Sequence, residues 1–230
     1  MRELVQATNR ADAPEPKLME GPRQVQSISR YQFAADPRRA RSLMRFYATM
    51  FPRGPVADLG VGRGFFLEAL RDQGTDGVGV DISEEAAEHC RRLGFQITLS
   101  DASEYLATAR GLGGVFVAHL IEHLEPAIAG GLLRHAFGAL APGGTIVLVT
   151  PNVKDLQVWT ETFWLDLTHV RPYPAALLRV MLGAEGFRVE AMGHGQIGLG
   201  PRRIPAVLVG RVRYGLEYGR PEIWVRAVRP

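Results

Sequence analysis

The chain has a single cysteine, Cys90, among its 230 residues, so no disulfide can form within it. It contains no apolar run near the roughly 20 residues that a membrane-spanning helix requires. No segment with the features of a signal peptide is recognisable either. These absences exclude disulfide-stabilised secreted scaffolds and transmembrane proteins, and we expect a globular, cytoplasmic domain.

Lysine is also scarce: Lys17 and Lys154 are the only two, and arginine supplies the other positive charges. The net charge is +3, but basic residues concentrate at both ends of the chain. Residues 1–50 carry nine basic and five acidic side chains, and residues 201–230 carry seven and two. Such ends indicate either a polyanionic partner or Arg-rich segments that cover the domain, and we favour the second interpretation.

The chain divides into a lead-in and one domain. Residues 1–26 lack hydrophobic periodicity and are predicted to be poorly ordered, and residues 27–230 are predicted to form the domain. Asp36-Pro37 resembles an N-cap followed by proline at the first helical position, so the domain is expected to begin with an amphipathic helical flap. Residues 193–222 exceed the length of a tight hairpin and predict an insertion with a basic face. We favour a solvated face there; the alternatives are contact with an anionic acceptor, a membrane surface or a partner subunit in a homodimer.

From residue 56 onward, short apolar segments alternate with helical patterns. Strands separated by helices of about ten residues predict βαβ units and a parallel sheet covered on both faces, which is a doubly wound α/β domain. The predicted strands are 56–59, 77–81, 96–99, 115–118, 145–150, 187–191 and 223–228. The predicted helices are 64–73, a helix capped by Ser83, 128–140 and 174–184.

A glycine-rich loop, Asp-Leu-Gly-Val-Gly-Arg-Gly at Asp58–Gly64, joins the first strand to the first helix. Glycines at every second position let the chain turn tightly and approach a ligand without a Cβ clash. In an open α/β sheet, a nucleotide-like ligand lies beyond the carboxyl ends of the strands. Asp81 ends the second strand, where a carboxylate accepts hydrogen bonds from ribose hydroxyls, and Asp101 follows the third strand, placed for an adenine amine.

The loop departs from two phosphate-binding motifs. The dinucleotide fingerprint requires Gly or Ala where Phe65 stands, and the P-loop requires a Gly-Lys-Ser/Thr that is absent here. Asp58, just before the glycines, is a poor neighbour for phosphate but suits an ammonium group or an ordered water. A dinucleotide-binding or non-catalytic Rossmann-like domain remains the structural alternative.

Together these segments resemble the class I S-adenosylmethionine-dependent methyltransferases. Val56–Gly64 looks like the first motif of that family, Gly79–Ser83 its acidic ribose loop, Ser100–Ala102 its adenine loop and Leu140–Thr145 its turn into the fifth strand. The resemblance covers about residues 35–230. It implies a Rossmann-like, doubly wound seven-stranded sheet, mostly parallel with the last strand antiparallel, and S-adenosylmethionine as cofactor. The residues expected to bind that cofactor are Asp58, Gly60, Gly62, Gly64, Asp81, Ile82, Asp101, Ala102 and Ala118.

Three histidines follow the fourth and fifth strands, where the catalytic crevice is expected. Methyl transfer aligns the acceptor with the methyl carbon, and a hydroxyl acceptor also needs a base. His169 is the preferred candidate, since an imidazole suits proton removal near neutral pH and Asp166 would orient it. His119 and His123 are the other candidates. In the alternative interpretation, Glu122-His123 only starts the next helix and His169 only ties its loop to the glycine turn.

The string His119-x-x-Glu122-His123 matches the zinc-binding motif of inverted zincin proteases. That motif needs a continuous helix, whereas this one follows an apolar strand and Pro126 limits the local helix. In addition, Gly113 and Gly114 stand where many methyltransferases begin the fourth strand with an acidic residue. The sequence therefore predicts no metal.

The segment 166–173 is similar to segments in bacterial methyltransferases of glycan and natural-product pathways. We therefore expect methyl transfer to an oxygen of a sugar-containing or natural-product small molecule, with no nucleic-acid partner. RNA or protein methylation, driven by the basic termini, is one alternative, and a non-catalytic S-adenosylmethionine-binding module is another. The residues expected to bind the acceptor are Asn152, Trp164, Arg171 and Tyr173.

Overall fold

One mixed sheet organises the residues that the structure, a computed structural model, describes, namely 36–195 and 220–230. The strands are β1 (Val56–Leu59), β2 (Gly77–Asp81), β3 (Gln96–Leu99), β4 (Leu112–Ala118), β5 (Leu140–Pro151), β6 (Arg188–His194) and β7 (Glu222–Val228). The helices are α1 (Pro37–Ala48), α2 (Phe65–Asp72), α3 (Glu84–Arg92), α4 (Ala102–Thr108), α5 (Pro126–Ala139), α6 (Leu156–Thr160) and α7 (Ala175–Ala184), with 3₁₀ turns at Ile121–His123 and Thr162–Leu165.

The strands are arranged in the order β3-β2-β1-β4-β5-β7-β6. The pairs β3–β2, β2–β1, β1–β4 and β4–β5 are parallel, whereas β7 pairs antiparallel with both β5 and β6. This topology confirms the predicted fold class, including the antiparallel last strand. The carboxyl ends of β1, β2, β4 and β5 therefore meet along one edge of the sheet, where ligands bind in open α/β folds.

Short polar side chains start four of the helices. Asp36 caps α1, because its Oδ1 accepts the backbone N–H groups of Arg38 and Arg39 at 2.9 and 3.4 Å. Ser83, Asp101 and Asp155 cap α3, α4 and α6 in the same manner. Each cap satisfies an N–H that the first turn of a helix leaves without a partner.

The element bounds differ from the sequence predictions in a few places. The helix α4 was not predicted, since it is seven residues long and buries only Leu106. β4 begins at Leu112 instead of Val115, and β5 begins at Leu140 instead of Thr145. These earlier starts follow from the pairing of Leu112 with Leu140, which is separated from the rest of the ladder by a register shift.

The two faces of the sheet carry separate apolar clusters. On one face α5 and α7 contribute the fully buried Leu132, Leu133 and Leu178. On the other face α1 and α2 cover an aromatic group in which Phe66 stacks on Phe116 with ring centroids 3.9 Å apart. The predicted flap helix α1 buries Tyr47 completely in this cluster, so it forms part of the core.

Two predicted features lie outside the described residues. They are the poorly ordered lead-in 1–26 and most of the insertion 193–222, of which the structure describes only 193–195 and 220–222. None of the helices described is long and apolar enough to cross a lipid bilayer.

Candidate functional site

The glycine loop turns where β1 ends and α2 begins. Gly60, Gly62 and Gly64 have φ angles of +77°, +50° and +75°, which side chains rarely adopt. The carboxylate of Asp81 accepts the backbone N–H of Gly62 at 3.1 Å and that of Ser83 at 2.8 Å. Asp81 therefore joins the carboxyl ends of β1 and β2, as expected for a loop that presents its backbone to a ligand.

A cavity of about 530 Å³ opens beside this loop. The volume lies within the range of small-molecule sites. Its walls include Ala40 and Met44 of α1, the glycine loop, His89 of α3 and Phe116 of β4. Among the predicted cofactor residues, Asp58, Gly60, Gly62 and Ala118 line it.

The other predicted cofactor residues are not among those that line this cavity. Ile82 is 71% exposed just after β2, as an apolar surface on which a planar ring can pack. Asp101 uses Oδ1 to cap α4, accepting the N–H groups of Ser103 and Glu104 at 2.7 and 3.2 Å. Gly64 lies against Cys90. Asp81 binds backbone N–H groups of the loop and of Ser83, as described above. Ala102 is the first residue of α4, directly after the Asp101 cap.

Asp58 is buried at the end of β1, and the cavity reaches it. Burial raises the pKa of its carboxyl well above the ordinary value, and the nearby charge of Asp81 raises it further. A cationic group in the cavity would relieve both effects. The buried carboxyl of Asp58 and the glycine loop beside the cavity therefore fit S-adenosylmethionine, which has an ammonium group, a sulfonium and an adenosyl moiety.

His119 lies between this cavity and a second, smaller pocket. It has a φ of +51° and directs its ring between two carboxylates. Its Nε2 is 3.1 Å from Oε2 of Glu222, and its Nδ1 is 3.3 Å from Oε1 of Glu122. The hydroxyl of Tyr47 in turn donates a hydrogen bond to Glu222.

These two carboxylates decide the charge of His119. Burial lowers its pKa, but interaction with Glu122 and Glu222 outweighs burial and raises the pKa to about 10. His119 is therefore an imidazolium at neutral pH and has no lone pair with which to take up a proton. Glu222 is a site residue that the sequence analysis missed.

The second pocket has a volume of about 90 Å³. His119 and Glu222 form one part of its wall, and Phe163 and His169 form another. The imidazole of His169 stacks on the Phe163 ring with centroids 4.4 Å apart. Since His119 lines both spaces, the two pockets are adjacent.

The hydrogen bonds of His169 and His123 determine their tautomers. Nδ1 of His169 lies 2.6 Å from the carbonyl oxygen of Phe163, which only accepts, so this nitrogen donates. Thr168 Oγ1 lies 2.6 Å from an oxygen of Asp166 and 2.8 Å from Nδ1 of His123. Because the hydroxyl donates its proton to the carboxylate, Nδ1 of His123 donates to the hydroxyl. In each neutral ring, Nε2 then carries the lone pair.

Asp166 acts differently from the expectation that it orients His169. Its Oδ1 accepts both the N–H and the hydroxyl of Thr168, at 2.9 and 2.6 Å. Burial opposes ionisation, but the bonds from Thr168 outweigh it and lower the pKa of Asp166. Asp166 thus orients His123 through Thr168, whereas the Phe163 carbonyl orients His169.

Two predicted acceptor residues have structural roles instead. Tyr173 is fully buried, and its hydroxyl donates to the carbonyl of Leu124 at 2.7 Å, so the ring belongs to the core. Asn152 is also buried, and its Nδ2 donates to the carbonyl of Arg220 at 2.9 Å. Asp155 accepts the backbone N–H of Arg220 at 2.8 Å. Asn152 and Asp155 therefore hold the chain that enters β7, whereas Tyr173 stabilises the core.

The other two predicted acceptor residues are more accessible. Trp164 is 55% exposed, and its Nε1 donates to the carbonyl of Trp159 at 2.7 Å. The guanidinium carbon of Arg171 lies 5.3 Å from the centroid of the Tyr173 ring. Trp164 is thus partly open to solvent next to Phe163 of the second pocket, whereas Arg171 packs over a core aromatic ring.

The sheet order, the glycine loop and the acidic ends of its strands define a class I S-adenosylmethionine-dependent methyltransferase. A family model described as a methyltransferase domain matches residues 30–192, so the chain belongs to that family. It is similar to the crystal structure of an S-adenosylmethionine-dependent methyltransferase from Archaeoglobus fulgidus, with 26% identity and a TM-score of 0.75. That match covers 88% of this chain and 99% of the other.

Two further proteins are similar to this chain. Magnesium protoporphyrin IX methyltransferase from Synechocystis, solved with bound S-adenosylmethionine, has the same fold at 14% identity and a TM-score of 0.59, covering 90% of this chain and 84% of the other. A ubiquinone biosynthesis O-methyltransferase from Methylococcus capsulatus is 34% identical over 102 residues, which are 42% of this chain and 43% of that protein. The chain thus matches less than half of that relative.

Proposed function

We propose that the protein transfers the methyl group of S-adenosylmethionine to an oxygen of a small-molecule acceptor, of the sugar-containing or natural-product type. The observation that carries this proposal is the pair of imidazoles, His123 and His169, whose Nδ1 atoms both donate to fixed partners. His169 lines a pocket that adjoins the donor cavity through His119. The name of the Methylococcus relative supports oxygen as the acceptor atom.

When bound, S-adenosylmethionine supplies a methyl group on a positively charged sulfur. The glycine loop and Asp58 hold the donor on one side of His119. The acceptor hydroxyl lies on the other side, in the pocket that His169 lines, where the lone pair of His169 can take up its proton. The ring of His123 lies behind His169, with centroids 4.7 Å apart. His119 is kept charged by its two carboxylates, so in this proposal it positions the neighbouring groups and takes up no proton.

The rest of the acceptor contacts an apolar surface. Trp159, Trp164, Leu165 and Leu167 are 45%, 55%, 58% and 65% exposed in the segment that precedes His169. Exposed aromatic rings grouped beside a pocket are suited to stacking on a sugar or a planar ring. We propose that Trp164 contacts the acceptor, and that Arg171 contributes only where the acceptor is anionic.

The test is methylation of an acceptor panel, followed by mass spectrometry for products that have gained one methyl group. His169→Ala is expected to lower turnover by ~10²-fold or more, because proton removal loses its positioned imidazole. Its affinity for S-adenosylmethionine, measured by calorimetry, is expected to stay near that of the wild type. His135→Ala is the matched control, since α5 runs from the site back toward the opposite edge of the sheet. Unchanged turnover in His169→Ala would remove His169 from the mechanism.

The alternative functions have different signatures. An RNA methyltransferase would bind RNA with strong salt dependence, and a non-catalytic module would bind the donor but methylate nothing in a broad panel. No feature of residues 36–195 and 220–230 favours either one. The cytoplasmic location and the homodimer expected from the sequence stay predictions.

A further inference from the structure

Three side chains of metal-ligating type converge beside the second pocket. In Glu122, His123 and His169, one ligand atom of each residue lies within 4.8 Å of those of the other two. Two backbone bonds fix this arrangement, because the N–H groups of Val170 and Arg171 both donate to the carbonyl of Glu122, at 2.9 and 3.3 Å. The 3₁₀ turn after β4 and the loop before α7 are thereby joined.

Both imidazoles are oriented as metal ligands are. A ligating histidine usually donates its second ring N–H to a carboxylate, a carbonyl or a water, which fixes the tautomer and raises the basicity of the ligating nitrogen. Here His169 donates through Nδ1 to the Phe163 carbonyl, and His123 donates through Nδ1 to Thr168, itself bonded to Asp166. Each ring is left with an Nε2 lone pair for a ligand.

Glu122 can supply the carboxylate ligand. Its side chain is fully buried, and its Oε2 accepts the hydroxyl of Thr150 at 3.2 Å. Its Oε1 faces the imidazolium of His119, whose Nδ1 lies 3.3 Å away. A cation bound by this carboxylate would share it with Thr150 and His119, and buried carboxylates are commonly satisfied by donors and metal ions together.

We propose that Glu122, His123 and His169 bind a divalent first-row cation, which holds the acceptor hydroxyl for methyl transfer. Two imidazole nitrogens and one carboxylate oxygen suit cations such as Zn²⁺ or Mn²⁺, and leave coordination positions open for a substrate. The binding site stands on geometry alone, and its role in catalysis rests on the function proposed above.

The cation would act on the proton of the acceptor. A hydroxyl on such an ion has a lowered pKa, so its proton leaves to water without an imidazole base. The acceptor oxygen then forms a bond to the methyl carbon, and the carbon–sulfur bond breaks. The two imidazoles would then be ligands, and this role replaces the role of proton acceptor that the proposed function gives to His169; methyl transfer to the acceptor oxygen stays the same.

This arrangement differs from the zinc string noted in the sequence. His119 of His119-x-x-Glu122-His123 is held by Glu222, with its Nε2 3.1 Å from Oε2 of that residue. His169, from the loop before α7, takes the place of His119 in the group. The string therefore supplies two of the three ligands, and a distant loop supplies the third.

The first test is direct binding. Purified full-length protein is treated with a chelator, dialysed and titrated with Zn²⁺ or Mn²⁺ in a calorimeter. We expect one ion per chain, and ~100-fold or more weaker binding in His123→Ala and in His169→Ala. Thr168→Val keeps the ligands but removes the bond that orients His123, and is expected to weaken binding by about tenfold or more. His135→Ala is the matched histidine control, and circular dichroism checks the fold of each variant.

The outcomes separate this proposal from the proposed function. Absence of stoichiometric binding, or equal binding by the wild type and both histidine variants, would overturn the metal site. Full methyl transfer by protein shown to be metal-free would overturn its catalytic role and leave the proposed function intact. Stoichiometric binding that depends on His123 and His169, in a protein that methylates no acceptor, would support the site and count against the function.

Discussion

Replacing Gly64 with alanine would strain the glycine loop in two ways. The φ of +75° costs an alanine about 1–2 kcal/mol, because its Cβ crowds the backbone in the left-handed region. The new Cβ would also lie 2.9 Å from the Sγ of Cys90, and such overpacking typically costs about 1–3 kcal/mol. Together they predict that Gly64→Ala lowers the free energy of unfolding by about 2–5 kcal/mol.

Gly60 offers a matched control, since its φ is +77° but nothing lies within 4 Å of a Cβ built there. Gly60→Ala is therefore expected to cost only the backbone term of about 1–2 kcal/mol. Urea denaturation at constant pH measures both variants, and a shifted midpoint with an unchanged slope identifies a loss of stability.

A double-mutant cycle isolates the contact with Cys90. Cys90→Ala alone has its own cost, but in combination with Gly64→Ala it should recover about 1–3 kcal/mol relative to the sum of the single changes. If Gly64→Ala proves no more harmful than Gly60→Ala, or if the cycle shows no coupling, the packing of the loop on α3 has been misjudged.

Two further predictions concern Asp58 and Tyr173. Burial and Asp81 raise the pKa of Asp58, and a cationic donor favours its ionised form, so donor binding should release a proton. The affinity for S-adenosylmethionine is then expected to fall as pH drops below this raised pKa, by up to about tenfold per pH unit. Calorimetry across pH measures the effect, and a profile retained in Asp58→Asn would refute it. Tyr173→Phe leaves the buried carbonyl of Leu124 without its donor and should cost about 1–3 kcal/mol of stability, with the acceptor KM unchanged. A raised KM at unchanged stability would instead assign Tyr173 to the acceptor site.

The sheet could be predicted because its central strands are buried on both faces and therefore form near-continuous apolar runs. The glycine loop and Asp81 were recognisable for a different reason, because the residues that define each of them lie within one short segment of the sequence. The helix α4 was missed because it buries only Leu106, although Asp101 followed by Glu104 is an N-terminal helix signal. The same Asp101 is predicted to bind adenine, and its cap of α4 shows that one carboxylate oxygen already has a structural role.

The contacts around His119, His123 and His169 were less predictable, because they join segments that are distant in the sequence. Glu222 lies 103 residues from His119 in the sequence, and nothing local marks it as a partner. The tautomers of His123 and His169 depend on a carbonyl and a hydroxyl whose positions are set only by the folded loop. Tyr173 is expected at the acceptor from the similarity of segment 166–173 to methyltransferase segments, and only tertiary packing shows that it is buried.

The anchoring of β7 has a consequence for His119. Gly195 donates its N–H to the Glu222 carbonyl at 3.3 Å, and the backbone of Arg220 is held by Asn152 and Asp155. These bonds lie on either side of Glu222 and fix the start of β7 beside the ends of β5 and β6. A change that loosens either anchor is therefore expected to disturb the charge of His119 from a distance, because the carboxylate of Glu222 lies 3.1 Å from its ring.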